Sequence, residues 1–386
     1  MKIAVFTDTF YPSTNGIVTS IIAFSKELAD NWNEVLIVTP YNKWIESFTY
    51  KNIEVFTIKW IPAIFYPDFK ITFWFTPNLI KKIRTFKPDI IHFHTQFIIW
   101  WQAIIIWKMF KIPRIWTFHT YIADENYLKV IWLNSKIFWE MWWKYNNFFY
   151  KKIEKVIVPS TNAKIELINH WIDSKDIEIV SNPLPMISSN KEKYFLNKIK
   201  TENIVLYVWR ISKEKNIDVC LESIYVVSKE VPDVLFVIVW DWPEKKDLQK
   251  LAKKIGIENN VLFLWKVPHG ELLNSDIFDR AKLFLSASPS ENQPLTLIEA
   301  MNFGLPIVWV DEKWVWELIE KNWFKAKNEN FWELAIYIIK LLKDHDLCKK
   351  MWEESKKMSE RFNLKELSKK LGNLYDKVIQ EYKNKY

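Results

Sequence analysis

Glycine is scarce in this chain: there are 5 in 386 residues, where an average usage of ~7% gives roughly 27. Tight turns and helix ends call for Gly, so either such turns are missing or another residue occupies them. Cysteine is scarce too. Cys220 and Cys348 are far apart and fit no metal spacing, which excludes a disulfide scaffold and a zinc site. Their rarity points to a reducing cytoplasm. Long apolar runs are absent. The longest, Phe97 to Phe110, is broken by Gln102 and Lys108 and is too short to span a bilayer. Met1 to Thr7 runs straight into a strand pattern with a single Lys, so no secretory leader is expected.

Tryptophan is present in excess, with 23 residues. Trp and Gly together number 28, close to one ordinary glycine complement. UGA is stop in the standard code, Trp in some codes and Gly in others. Reading a gene with the wrong table would write Trp at glycine positions. The alternative is a truly Trp-rich protein, and the positions decide between the two. Net charge is +8 and the pI about 9.0, which implies an anionic partner. The basic residues are spread out with no recognition motif, so a nucleic acid is disfavoured. The length suggests two domains of ordinary size.

The first half alternates strands with helices. KIAVFT (2–7) reads as a buried strand, Asn15-Gly16 as a turn, and Thr19 to Asp30 as a helix. Trp32 stands where that helix should end, a usual glycine position. Strands follow at Glu34–Thr39, Ile53–Ile58, Asp89–His94, Arg114–Phe118 and Lys155–Val158. The alternation predicts a mostly parallel sheet covered on both faces, with ligands outside the carboxyl ends of the strands. His92, His94, Thr117, His119 and Thr120 fall at such ends. A lone histidine is more often structural, but His119 gains from lying before Asp124 and Glu125. Two segments are aromatic and basic, Trp60 to Lys87 and Lys136 to Lys155. They suit an anionic membrane interface, or else helices with a packed apolar face and a solvated basic one.

Asn182 to Asn197 reads as an interdomain linker, after which alternation restarts. Strands are expected at Asn203–Val208, Leu235–Val239, Val261–Leu264, Lys282–Ser286 and Pro306–Val310. Two Rossmann-like halves imply a cleft between them. Arg210 and Lys215 lie between a strand and a helix start, where two cations can neutralise a diphosphate. Trp209, Trp240 and Trp242 sit at strand exits, where a bulky indole opposes close backbone approach. Trp265, Trp314, Trp316 and Trp323 are placed at turns or helix starts.

The stretch FLSASPSENQPLTLIEAMNFGLP (284–306) reads as strand, loop, helix and turn. Pro294 suits a first helical turn and Gly304 a stop. The helix N-terminus is a ready phosphate site. Glu291 in the loop is placed to hold sugar hydroxyls and Glu299 in the helix to hold a ribose. The plainer reading is two solvated glutamates. The tail is helical over Leu334–Leu342, Asp344–Arg361 and Leu364–Tyr382.

Taken in order, DTFYPSTNG, PDIIHFHTQF, WTFHT, VWRISKEKN, VWDWPE and the Glu291/Glu299 pair before EAMNFGLPIV resemble glycosyltransferase family 4, with the GT-B fold. The match covers nearly the whole chain. The resemblance implies an α/β protein of two Rossmann-like domains facing a central cleft. Residues 1–185 would form the acceptor-binding domain and 186–363 the nucleotide-sugar-binding domain. A helix over 364–386 would pack back toward the first. It implies a retaining transfer of a hexose from a nucleoside diphosphate sugar, with no metal and no cofactor, because cations and the helix N-terminus take the metal's electrostatic role.

Carried over, Asn15 and Gly16 lie close to the donor phosphates, and His119 contacts the donor sugar. Arg210 and Lys215 hold the diphosphate. Glu291, Asn292, Gln293, Pro294 and Leu295 hold the sugar, and Glu299 the ribose. Lys266 and Val267 join the donor-binding residues. Retention is ascribed to attack on the face the diphosphate leaves, so no nucleophile is assigned. The first-half segments look most like the branch that glucosylates diacylglycerol. That implies a lipid or glycan acceptor and a cytoplasmic protein, peripheral on the inner face of the membrane. The departures are Trp32, Trp171, Trp209, Trp240, Trp242, Trp265, Trp316 and Trp323, at the family's glycine positions. A sugar-nucleotide epimerase, or a non-catalytic binding protein blocked by these indoles, would share the fold.

Overall fold

The computed structural model describes residues 1–13, 15–63, 66–72, 76–94, 99–119, 140, 143–144, 146–148, 150–170, 172–184, 195–209, 215–239, 245–264, 267–289, 291, 293–310, 317 and 320–385. It describes the backbone alone at 61–63, 66–72, 99–104 and 245. The chain forms two compact units. One is Met1–Pro185 with Asn363–Tyr386, and the other is Met186–Phe362.

The first unit is built on seven parallel strands in the order β3-β2-β1-β6-β7-β8-β9. They are β1 Lys2–Phe6, β2 Glu34–Pro40, β3 Ile53–Ile58, β6 Ile90–Phe93, β7 Arg114–Thr117, β8 Lys155–Val158 and β9 Ile177–Ile179. Central strands such as KIAVF and IIHF are apolar on both faces because helices cover both. The helix Gly16–Asp30 packs on one face with the C-terminal helix Leu364–Lys385. Leu367, Leu371, Leu374, Tyr375 and Val378 of the latter join a core with Ile3, Ile21, Leu28 and Ile37.

A two-stranded antiparallel hairpin, β4 Trp60–Ala63 and β5 Tyr66–Thr72, occupies the start of the first aromatic-basic segment. The helix Pro77–Phe86 ends it. Leu79, Ile83 and Phe86 are buried there, while Lys81 and Arg84 are exposed. In the second such segment Phe138, Tyr145 and Phe149 lie outside the described residues.

The second unit is a six-stranded parallel sheet in the order β12-β11-β10-β13-β14-β15. Its strands are β10 Ile204–Val208, β11 Leu235–Val239, β12 Val261–Leu264, β13 Leu283–Ser286, β14 Ile307–Val310 and β15 Trp323–Ala326. Trp323 is therefore not at a turn or a helix start. It pairs with Ile307 inside a strand, and its neighbours Phe324 and Ala326 supply the strand's apolar character. Pro294 stands one residue ahead of the helix Leu295–Asn302, as its cap. Trp116 and Trp309 are wholly buried within strands. Trp32 is 90% exposed, with φ of 64°.

Candidate functional site

In the second unit, β10 and β13 are neighbours, so the loops after them meet. Asn216 takes a left-handed conformation that opens the helix Ile217–Glu230, and its side-chain amide donates to the Ala287 carbonyl at 3.3 Å. That bond joins the two loops and brings Lys215 to the loop after β13. The Lys215 ammonium is buried, donates to Glu291 Oε1, and lies 3.4 Å from Ser288 Oγ. Ser288 in turn donates to Glu291 at 3.0 Å. A buried cation and a half-buried carboxylate thus share one hydroxyl, and each offsets the other's desolvation.

The helix Leu295–Asn302 begins two residues beyond Gln293 in the same loop, after the cap residue Pro294, with no side-chain cap and no acidic residue in its first turn. Its first N–H groups therefore remain available to an anion. Leu295 and Gln293 are buried beside it. One turn on, Glu299 is fully buried. His269 Nε2 lies 2.7 Å from its Oε1, and its Oε2 has no hydrogen-bond partner. Burial depresses the His269 imidazole, but the adjacent Glu299 charge and hydrogen bond outweigh this and leave it raised. Val267 is buried at the approach to His269. Trp209 is half-buried, with Lys215 Nζ 5.2 Å from its ring centroid and Trp309 edge-on at 6.1 Å. Arg210, Asn292, Lys266, Trp240, Trp242 and Trp265 lie outside the described residues.

In the first unit, Asn15 caps the helix Gly16–Asp30 by accepting from Val18 N at 3.0 Å. Its amide reaches Thr9 Oγ1 at 3.2 Å. This ties the loop after β1 to the helix start, with Gly16 exposed at the first helical position. Across the neighbouring strand ends, His94 Nδ1 lies 2.8 Å from His119 Nε2. Behind them His92 bonds Tyr375 Oη and Thr117 Oγ1, each at 2.6 Å. Burial holds His92 down at about 3, with the His119 charge adding to it, and holds His94 well below the ordinary imidazole range. The group is therefore neutral near pH 7. Among the described residues no three His, Cys, Asp or Glu side chains are placed to hold a metal ion.

Lys215, Ser288 and Glu291 are brought together in one unit, and His94 and His119 in the other. Ser288, His269 and Tyr375 escaped the sequence reading. Only Ser288 carried a signal, as part of the polar loop after the strand.

Two family models divide the chain. Residues 14–186 match "Glycosyltransferase Family 4" and residues 188–358 match "Glycosyl transferases group 1". The chain belongs to glycosyltransferase family 4. The family's two-unit GT-B fold is also found in solved structures at full length. An Anabaena protein, Alr3699/HepE, crystallised with UDP-glucose, superposes with a TM-score of 0.73 at 17% identity, covering 98% of this chain and 100% of that one. Sucrose-phosphate synthase from Thermosynechococcus elongatus does so with 0.73 at 15% identity, covering 98% and 99%.

Among curated relatives, the alpha-monoglucosyldiacylglycerol synthase of Streptococcus pneumoniae is 28% identical over 92% of this glycosyltransferase and 82% of that protein. Its namesake from Acholeplasma laidlawii is 26% identical over 80% of each. The sulfoquinovosyl transferase SQD2 of Arabidopsis thaliana is 26% identical over 75% of this chain and 54% of its own.

Proposed function

We propose that this glycosyltransferase moves a hexose, with retention and without a metal, from a nucleoside diphosphate sugar to a diacylglycerol-type lipid at an anionic membrane surface. The buried Lys215–Ser288–Glu291 cluster beside an uncapped helix N-terminus carries the reading. Lys215, with Arg210, would hold the diphosphate and stabilise the charge that grows on it as the sugar leaves. The same contact would place Glu291, with residues 292–295, against the sugar. Glu299 offers its unpartnered oxygen to a ribose hydroxyl, with Lys266 and Val267 beside the nucleoside. Asn15 and Gly16 would approach the phosphates, and His119 the sugar.

The lipid acceptor rests on the relatives that glycosylate diacylglycerol and on a basic-aromatic patch of the first unit. Phe148 is 52% and Met109 49% exposed, Lys108, Lys111 and Lys151 are exposed, and Lys152 Nζ sits 3.6 Å from the Phe148 ring centroid. Among the described residues no helix is long and apolar enough to cross a membrane. A panel of nucleotide sugars, assayed for nucleotide release with and without diacylglycerol vesicles, tests the reading. Release that needs lipid, survives chelator and yields an α-linked product from an α-linked donor supports it. Donor conversion without any acceptor would favour an epimerase instead.

We also propose that most of the 23 Trp are glycine in the native protein, encoded by UGA. Trp32, strongly exposed at a positive φ, supports this. UGG codons at these positions, or native peptide masses that keep the indoles, would refute it.

A further inference from the structure

The histidine group in the first unit has more members than one sugar contact needs. His119 is the member nearest solvent. Behind it His94 is 5% exposed and His92 2%. The contacts run in series, two hydrogen bonds joined by one ring-packing contact. His119 Nε2 meets His94 Nδ1 at 2.8 Å, the His94 ring packs on His92 with centroids 4.0 Å apart, and His92 Nδ1 meets Tyr375 Oη at 2.6 Å. The second nitrogen of His92 is taken by Thr117 at 2.6 Å, so both ends of that ring are fixed.

Tyr375 comes from the C-terminal helix, 283 residues away from His92 in sequence. It is itself 1% exposed and meets the His92 ring edge-on. Main-chain bonds hold the frame, since His94 N donates to Phe6 O at 3.0 Å and Phe118 N to Ile157 O at 2.8 Å. The backbone thus fixes where the strands end, and the His94 ring lies between His119 on one side and the His92 ring on the other.

We propose that His94 is a positioning residue that sets the orientation and tautomer of His119 for the donor sugar through their hydrogen bond, and that His92 and Tyr375 hold the His94 ring in place by packing, which makes the C-terminal helix a working part of the site. The proposal rests on the reading of His119 as a sugar contact. Two neutral imidazoles joined by one hydrogen bond share one proton between the facing nitrogens. The tautomer of His94 therefore decides whether Nδ1 of His119 donates to the sugar or accepts from it. Loss of that bond would leave the choice between the two roles unset by His94. The interaction counts only if it is in place when the sugar departs, so its loss falls on kcat more than on donor KM.

The test compares four variants of the native protein in the lipid-dependent transfer assay. His94→Leu removes the bond to His119, and His94→Asn keeps a polar atom near the Nδ1 position that can donate or accept. Tyr375→Phe removes only a hydroxyl, and His119→Ala removes the sugar contact itself. His94→Leu is expected to lower kcat about tenfold, with donor KM within about a factor of two. His94→Asn should recover most of that loss, and Tyr375→Phe should lower kcat by about threefold to tenfold. Wild-type kcat in both His94→Leu and Tyr375→Phe, beside an inactive His119→Ala, overturns the proposal and leaves the sugar contact standing. Equal losses in His94→Leu and His94→Asn, tracking a fall in melting temperature, also overturn it by showing a packing role alone. Full activity in His119→Ala overturns the sugar contact itself.

Discussion

Trp32 and Gly304 occupy the same position in the same helix-ending motif. After the helix Leu295–Asn302, Gly304 N donates to Met301 O at 2.8 Å and Leu305 N to Ala300 O at 2.9 Å, with φ of 85° at Gly304. After the helix Gly16–Asp30, Trp32 N donates to Ala29 O and Asn33 N to Leu28 O, both at 3.2 Å, with φ of 64° at Trp32. Gly256 repeats the arrangement a third time, with φ of 77°. The left-handed position costs an L side chain ~1–2 kcal/mol, and Gly avoids that cost. Trp32 is almost fully exposed and regains nothing by packing.

Trp32→Gly should therefore stabilise the first unit by about 1 kcal/mol, read from the shift in denaturant midpoint. A lower midpoint would mean that the indole supports the fold through contacts it does not make here.

Lys215→Met should cut transfer about tenfold to a hundredfold, as loss of a charge-assisted phosphate contact does. It should also destabilise the second unit by ~1–3 kcal/mol, because Glu291 loses its charged partner in a largely buried setting. The double variant Lys215→Met with Glu291→Gln should recover much of the stability and none of the activity. Full stability in Lys215→Met alone would contradict a buried pair.

Stability should fall as pH drops through the histidine range. His92 titrates at 6.5 in an ordinary setting and at about 3 when buried beside His94, His119 and Tyr375. Below 6.5 the unfolded chain takes up a proton that the folded one refuses, so folding weakens by ~1.4 kcal/mol per pH unit for each such histidine, down to the folded value. The benefit is complete above 6.5. Melting curves from neutral pH to about 4.5 measure the slope. His92→Gln should flatten it, and an unchanged slope would show that His92 takes up its proton freely in the fold.

Binding to anionic vesicles should weaken with salt and with charge reversal at Lys108 and Lys152. Burial lowers the Lys152 ammonium, and the neighbouring Lys108 and Arg114 charges lower it further, so these cations form one patch. Cosedimentation with phosphatidylglycerol vesicles over a salt series measures this. Equal binding to neutral vesicles would point to apolar insertion through Phe148 and Met109 instead.

The strands were legible wherever an apolar run had no rival reading. KIAVF, LFVIV and IVLYV are buried on both faces and cannot be much else. The hairpin β4–β5 was missed because WIPA and YPDFKIT carry prolines and charges that suit a loop or an amphipathic surface equally well. β9 is only IEI, too short to show a period. β15 was missed because Trp323 was assigned to a turn. At the candidate site, residue types at strand ends pointed to Lys215, Glu291 and His119 one by one. The pairing of Lys215 with Glu291 depends on β10 lying beside β13, and the bond from Tyr375 to His92 on the return of the last helix. Neither follows from spacing along the chain.

That return also sets an order of assembly. The second unit is one unbroken stretch, so it has all its parts once residue 362 has left the ribosome. The first unit begins earlier and finishes later. Until Leu364–Lys385 arrives, the core of Ile3 and Ile37 from the sheet and Leu28 from the first helix lacks the leucines and Tyr375 that close it. Through most of synthesis the nascent chain thus carries an open apolar face in its older half while its younger half is already folding, and chaperone demand should peak just before the last helix is made.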